Sequence, residues 1–406
     1  MVEVNREDVQ AILAKDLNNL SEEYLSHEIV PWSDKPIGYL ADHCRLRINF
    51  KSSESKDYFF KAVPKNVESR VGYMEETGIF AKEVKVYQNL ITKLLECSSI
   101  SWAPKCYLAK DENFIVLEIL NDFKIMSTLN LTFDVPHLKV AASTLAVFHA
   151  STLIQEKKSG RKLSEDYKEI MKENAYPLTP GSVRRQGLEN AIEVLSELLK
   201  VTPRYQNSPK LRMILENFPD TVRKIYKFVL PSESYTNVFN HGDLWVNNFM
   251  FKYQDEKPIE CKFVDYQLAR YCPPAMDLAT LVYINSSEAD RNQYLDDILN
   301  TYCDTLETEL TNAKVNDSSE MRTQILKSFK EFHLAGLIEA ALFSHLTLLP
   351  PSMGSAILSS SEAYDNFINQ SRVKVCLKAF EEDYYRDRMS EILIEIVETF
   401  ILKSNA

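Results

Sequence analysis

The stretch FNHGDLWVNN, residues Phe239–Asn248, followed at Phe263 by FVDYQ, decides how this chain reads. Asn248 precedes the apolar run FMF, Asp265 closes the run IECKFVD, and a polar turn, Gln254–Pro258, lies midway between them. Two apolar runs about such a turn predict an antiparallel hairpin with Asn248 and Asp265 side by side at its open end. Two oxygen ligands there suit Mg²⁺, which keeps waters and takes few protein ligands. Asp243, in a tight turn made by Gly242, falls beside them and is placed to take a proton from an attacking hydroxyl. Asp and Asn are ordinary loop residues that hydrogen-bond their own backbone. That accounts for any one of the three, but not for all three in register. An Asp, an Asn five residues on and a second Asp past a hairpin is the arrangement phosphoryl-transfer sites use.

Upstream, residues 1–30 suggest an N-terminal helix. Residues 41–50 and 57–63 alternate like strands about the polar turn SSES. Phe59, Lys61 and Val63 share one face of the second strand, so a lone ammonium there is costly. A single helix is expected over Ile79–Leu95, with its apolar stripe at Phe80, Val84, Tyr87, Ile91 and Leu94. Glu83 borders that stripe and needs a cation. Lys61 is the natural one, and the pair is expected to be partly solvated when the cleft is open. The alternatives are an exposed edge lysine and a surface Glu83 paired with Lys82 or Lys85.

The chain has 406 residues, enough for two lobes, and its apolar and charged fractions are those of an ordinary globular protein. Its net charge of −11 argues against nucleic acid as a partner. The polar N-terminus does not read as a signal peptide. The longest apolar stretch, Leu334–Leu349, contains Gly336, Glu339 and His345 and reads as a buried helix rather than a membrane span. Seven cysteines without paired spacing fit reduced thiols and a cytoplasmic location.

HGDLWVNN with DYQ resembles the choline-kinase-like group of the protein-kinase-like superfamily and, more narrowly, the insect ecdysteroid-kinase-like family. YFFKAVP at Tyr58, FAKEVKVYQNL at Phe80, IVLEIL at Ile115, LAVFHA at Leu145 and PPAMDLATL at Pro273 follow in that family's order. The resemblance implies an α+β, two-lobed protein-kinase-like fold. A small N-lobe of sheet plus helix (1–120) would precede a larger, mainly helical C-lobe (121–406). It implies ATP and Mg²⁺ as cofactors and a small-molecule alcohol as partner. Asp243 would be the catalytic base, and Asn248 and Asp265 the metal ligands. Lys61, held by Glu83, would meet the phosphates, and backbone groups from Glu118 through Leu120 to Asn121 would meet the adenine. Asp277 and His241 would brace the catalytic loop, while His149 reads as a hydrogen-bonded core histidine. The substrate class, an ecdysteroid or related steroid alcohol, comes from the resemblance alone. Rival readings are a choline, ethanolamine or xenobiotic-alcohol kinase and a catalytically inactive ligand-binding relative.

The chain is poor in glycine and lacks the glycine-rich loop of protein kinases, as small-molecule kinases of this superfamily often do. It has nine, and only Gly38 lies near the expected phosphate-covering turn. No G-x-G-x-x-G or G-x-x-x-x-G-K-[ST] occurs, which excludes a P-loop enzyme. HGD and DYQ stand where a protein kinase has HRD and DFG, so a protein kinase is disfavoured. The oligomeric state leaves no mark in the sequence.

Overall fold

The computed structural model describes residues 3–16, 23–33, 40–64, 68–110, 113–126, 132–315, 318–357 and 360–403. Gly38 lies outside them. A five-stranded antiparallel sheet, ordered β1-β2-β3-β5-β4, dominates the N-terminal part. Its strands are β1 (Tyr24–Pro31), β2 (Asp42–Phe50), β3 (Ser55–Ala62), β4 (Cys106–Lys110) and β5 (Phe114–Leu117). Residues 1–30 are thus not one helix: α1 (Arg6–Asp16) is followed by β1. His27, Ile29 and Val30 are semi-buried against β2, so pairing with that strand outweighs helical continuation.

Alternation along β3 separates two cores. Tyr58, Phe60 and Ala62 pack with Val9, Ile12 and Leu13 of α1, whereas Lys61 points the other way. That opposite face meets α3 (Ile79–Asn89), which follows α2 (Glu68–Thr77). The single helix expected over Ile79–Leu95 is broken at Leu90, where φ is −120°, before the short α4 (Ile91–Leu95). The Asn89 side chain donates to Lys85 O at the break, a local bond that competes with helix continuation.

Beyond β5 the chain is mainly helical. Asp134 caps α5 (Val135–Ser159) by accepting from His137 N, and Gly160 ends it in the left-handed region. α6 (Leu163–Asp166) and α7 (Lys168–Met171) are single turns, followed by α8 (Val183–Val201), α9 (Leu211–Arg223) and α10 (Ile225–Phe228). The C-terminal helices are α11 (Pro274–Asn285), α12 (Glu288–Asn312), α13 (Ser318–Glu331), α14 (His333–Thr347), α15 (Pro351–Ile357), α16 (Ser361–Asp365), α17 (Val373–Ala379) and α18 (Asp383–Val397). α5 packs on α12, and α14 packs on α11 and α18. Among the described residues, no single helix is long and apolar enough to cross a membrane. All seven cysteines are free thiols.

Two small sheets interrupt the helices. β6 (Phe123–Lys124), β8 (Phe249–Gln254) and β9 (Lys257–Phe263) form one, and β7 (Val238–Asn240) pairs with β10 (Arg270–Cys272) in the other. The second pairing sets Asn240 opposite Arg270, so HGD and DYQ leave adjacent strand ends. The chain thus folds as two α+β lobes, with both motifs held where the large sheet meets the helices.

Candidate active site

The backbone of the HGD loop is built around glycine and Asp277. Gly242 has φ 77°, and a Cβ there would lie 2.2 Å from Leu268 O, so no larger residue fits. Asp277, at the start of α11, accepts from His241 N at 2.5 Å and from Gly242 N at 3.0 Å. His241 Nδ1 accepts from Asp243 N at 3.2 Å, so its proton sits on Nε2, which donates to Val264 O at 3.1 Å. Burial pushes the His241 pKa down to about 4, keeping the ring neutral. His149 is a satisfied core histidine, bonded to Tyr302 at 2.7 Å and Asp277 at 3.3 Å.

The β8–β9 hairpin forms, but its register differs from the symmetric one expected. Gln254 pairs with Lys257, leaving a two-residue turn at Asp255 and Glu256. Both have positive φ, 48° and 63°, as a type I′ turn requires. An irregularity between Lys252 and Tyr253 then shifts the pairing. Beside the site, Asn248 O accepts from Val264 N at 3.1 Å, so Asn248 lies opposite Val264, not Asp265. Asp265 sits one residue past the pair with φ 72°, a left-handed conformation rare for a non-glycine residue.

Lys61 and Glu83 meet as expected, with Nζ donating to Oε2 at 2.7 Å. Lys61 also donates to Asp265 Oδ1 at 3.0 Å. The expected partial solvation is absent: Lys61 is 6% and Glu83 1% exposed, with α3 packed against the sheet at β4. Burial alone would lower the Lys61 pKa, but the Asp265 and Glu83 carboxylates outweigh it and raise it. Asp243 is buried, and desolvation together with nearby Asp265 pushes its carboxyl well above the usual range. Asn248 Nδ2 donates to Asp243 O at 2.8 Å, which turns its Oδ1 away from that carbonyl. The hard-oxygen donors of Asp265 and Asn248 suit Mg²⁺.

Gln267, the last residue of DYQ, was given no role in the sequence reading. Its Nε2 donates to Asp265 at 3.3 Å and to Asp243 at 3.4 Å, bridging the two carboxylates. His43 was also missed. It lies opposite Lys61 on β2, and burial plus that ammonium push its pKa down to about 4. No motif marks a residue whose role comes from cross-strand pairing.

Glu118 and Leu120 follow the end of β5. The Glu118 N–H donates to Lys105 O at 2.9 Å, and its carboxylate accepts from Lys105 N at 2.8 Å. Of its two backbone groups, only the carbonyl is without a partner among the described residues. The Leu120 N–H has no partner among the described residues, while Leu120 O accepts from Phe123 N at 3.0 Å.

A cavity of about 270 Å³ opens from Lys61, Asp243 and Asp265 toward α8 and α14, lined by Tyr73, Tyr176, Trp245 and Phe343 among others. Behind it, fully buried Arg270 pairs with Glu173 at 3.0 Å and Glu339 at 3.5 Å and lies over the Tyr176 ring.

This architecture, a small sheet with a lysine–glutamate pair above HGD and DYQ loops in a helical lobe, is that of protein-kinase-like phosphotransferases. Residues 37–315 match the ecdysteroid kinase-like family, and the chain belongs to it. It is thus a phosphotransferase with an alcohol group as acceptor, a small-molecule kinase. Among solved structures, a microcompartment-associated aminopropanol kinase is similar at 10% identity and TM-score 0.46, over 96% of this chain and 97% of that one. An amicoumacin kinase with bound AMP-PNP and Ca²⁺ is similar at 11% identity and TM-score 0.40, over 98% and 97%. A choline/ethanolamine kinase family protein from Mesorhizobium loti is similar at 12% identity and TM-score 0.35, over 96% and 99%. No curated protein matches the sequence.

Proposed function

We propose that this protein transfers the γ-phosphoryl group of ATP to a hydroxyl of a steroid-like alcohol, an ecdysteroid or a related molecule. The observation that carries this reading is the cavity that begins at Asp243 and continues between apolar and aromatic walls. Family membership supports the steroid class. Asp243 receives the hydroxyl proton and aligns its oxygen. Asn248 and Asp265 hold the divalent cation, Mg²⁺, which when bound neutralises charge on the phosphate oxygens. Lys61 steadies the phosphates, and Glu83 aims it. Positioning and charge stabilisation carry most of such a reaction, so few side chains suffice. The raised pKa of Asp243 favours proton uptake as the hydroxyl oxygen bonds to phosphorus.

A second reading, a xenobiotic-alcohol kinase, draws on the same apolar walls. The test is a transfer screen with ATP and Mg²⁺ over hydroxysteroids, choline-type alcohols and phenolics, read by the mass gain of one phosphoryl group. Transfer to hydroxysteroids is expected. Transfer only to choline-type alcohols would overturn the steroid assignment, and no transfer to any acceptor would overturn the activity.

A further inference from the structure

The acceptor cavity carries local charge opposite in sign to the protein as a whole, whose net charge is −11. Arg184 and Arg372 both line it, and among the described residues neither is paired with a carboxylate. Arg184 sits at the start of α8 with its guanidinium 5.3 Å from the centre of the Tyr73 ring. Its Nε is buried and has no hydrogen-bond partner. Arg372 spends its donors on neutral acceptors, Phe367 O at 3.1 Å, Ile368 O at 3.0 Å and His345 Nε2 at 3.3 Å.

Among the described residues, the only carboxylates in the lining are Asp243 and Asp265, which the proposed chemistry commits to the hydroxyl and the cation. Glu339, behind the wall, is already held by Tyr176 at 2.6 Å and Arg270 at 3.5 Å. Gly187, one turn after Arg184, brings the helix backbone close to the second cation: a Cβ there would be in van der Waals contact, at 3.7 Å, with the Arg372 guanidinium. An ammonium group entering this cavity would lose its hydration and face two cations with no counter-charge of its own. A carbonyl or carboxylate oxygen would instead meet the planar donor fork of Arg184, already steadied by Tyr73.

We propose that Arg184, backed by Arg372, selects a neutral or anionic acceptor that presents a carbonyl or carboxylate oxygen away from its reacting hydroxyl. Amino alcohols and quaternary ammonium alcohols are rejected. This rests on the phosphotransferase reading above and narrows it, removing choline and ethanolamine from the acceptor list. Arg184 is a specificity-determining residue, distinct from the groups that handle the phosphates.

The test reads binding without turnover, through the fluorescence of Trp245 in the cavity wall. Three hydroxysteroid probes are compared on one skeleton, bearing a ring ketone, a carboxylate or a primary amine. The ketone and carboxylate probes should bind at least about tenfold tighter than the amine. Arg184→Gln should weaken those two by about tenfold while nucleotide affinity stays within about twofold, and Arg184→Glu should reverse the ranking. Equal or tighter binding of the amine to the wild-type protein overturns the proposal. So does failure of all three probes to bind, or an Arg184→Gln effect confined to the nucleotide. A protein that shows the expected ranking but transfers no phosphoryl group upholds the selection and contradicts the activity reading alone.

Discussion

Lys61 and Asp265, 204 residues apart in the chain, are joined by a 3.0 Å hydrogen bond from ammonium to carboxylate. The bond crosses from the central strand of the sheet to the loop after the β8–β9 hairpin. The ammonium therefore neutralises Asp265 before any cation does, and Glu83 holds it there at 2.7 Å.

Burial of the Lys61–Glu83 pair makes the two single variants unequal. Glu83→Ala leaves the ammonium its Asp265 partner, whereas Lys61→Ala leaves Glu83, 1% exposed, without a counter-charge. Removing one member of a buried pair costs roughly 3–5 kcal/mol. Lys61→Ala should therefore lower the melting temperature more than Glu83→Ala, and also lower kcat/KM more. A Glu83→Ala protein as inactive and as unstable as Lys61→Ala would show that the glutamate does more than aim the lysine.

Asp243→Asn separates positioning of the acceptor from nucleotide binding. The amide can still accept from Gln267 but cannot take up the hydroxyl proton. Turnover should fall by on the order of 10²–10⁴, with nucleotide affinity nearly unchanged by calorimetry. Retention of more than about a tenth of wild-type turnover would leave Asp243 without the role of base.

The parts of this site legible in the sequence were those whose local pattern carries the constraint. Alternation along β3 placed Lys61 on the face opposite Phe60, and the α3 stripe brought Glu83 to the same side. The one-residue error at the hairpin arose because the Gln254–Pro258 segment admits more than one two-residue turn, and the irregularity between Lys252 and Tyr253 takes back part of the resulting shift. Left-handed φ at Asp255 and Glu256, neither a glycine, fixed the choice. Tertiary pairing hid the rest: β1 looks helical until β2 lies beside it, and Arg184 gains meaning only where α8 faces Tyr73.

Asp265 and Asn248, the proposed metal ligands, make a prediction that does not depend on hairpin symmetry. Asp265→Ala should abolish the Mg²⁺ dependence of nucleotide binding, measured by titrating nucleotide with and without the cation. Asn248→Ala should instead raise the Mg²⁺ concentration required, because it also removes the 2.8 Å tie to Asp243 O. Two ligands of one Mg²⁺ lie near 2.1 Å from it. A nucleotide-bound structure with the cation on Asp265 but far from Asn248 would reduce Asn248 to a loop brace.

Acid should weaken the fold through His345, in a way the Arg372 contact specifies. His345 Nδ1 donates to Ala341 O at 3.1 Å and Nε2 accepts from Arg372 at 3.3 Å, so both nitrogens are used by the neutral ring. Burial, reinforced by the Arg372 charge, pushes its pKa down to about 3, against an ordinary value near 6.5 in the unfolded chain. Below pH ~6.5 the unfolded state therefore binds a proton that the native state refuses. The stability this histidine contributes is complete above that pH and falls as the medium is acidified toward pH 3. The loss from this group is about 1.4 kcal/mol at pH 5.5 and grows by roughly that amount per further unit. His43 and His241 are depressed in the same direction, but they titrate alike in the wild type and in His345→Gln, so the difference between the two proteins isolates His345. Denaturant unfolding at pH 7.0, 6.0 and 5.5 should show the wild type losing stability faster than the variant. Parallel curves would mean that His345 protonates in the native state and that the Arg372 contact does not hold it neutral.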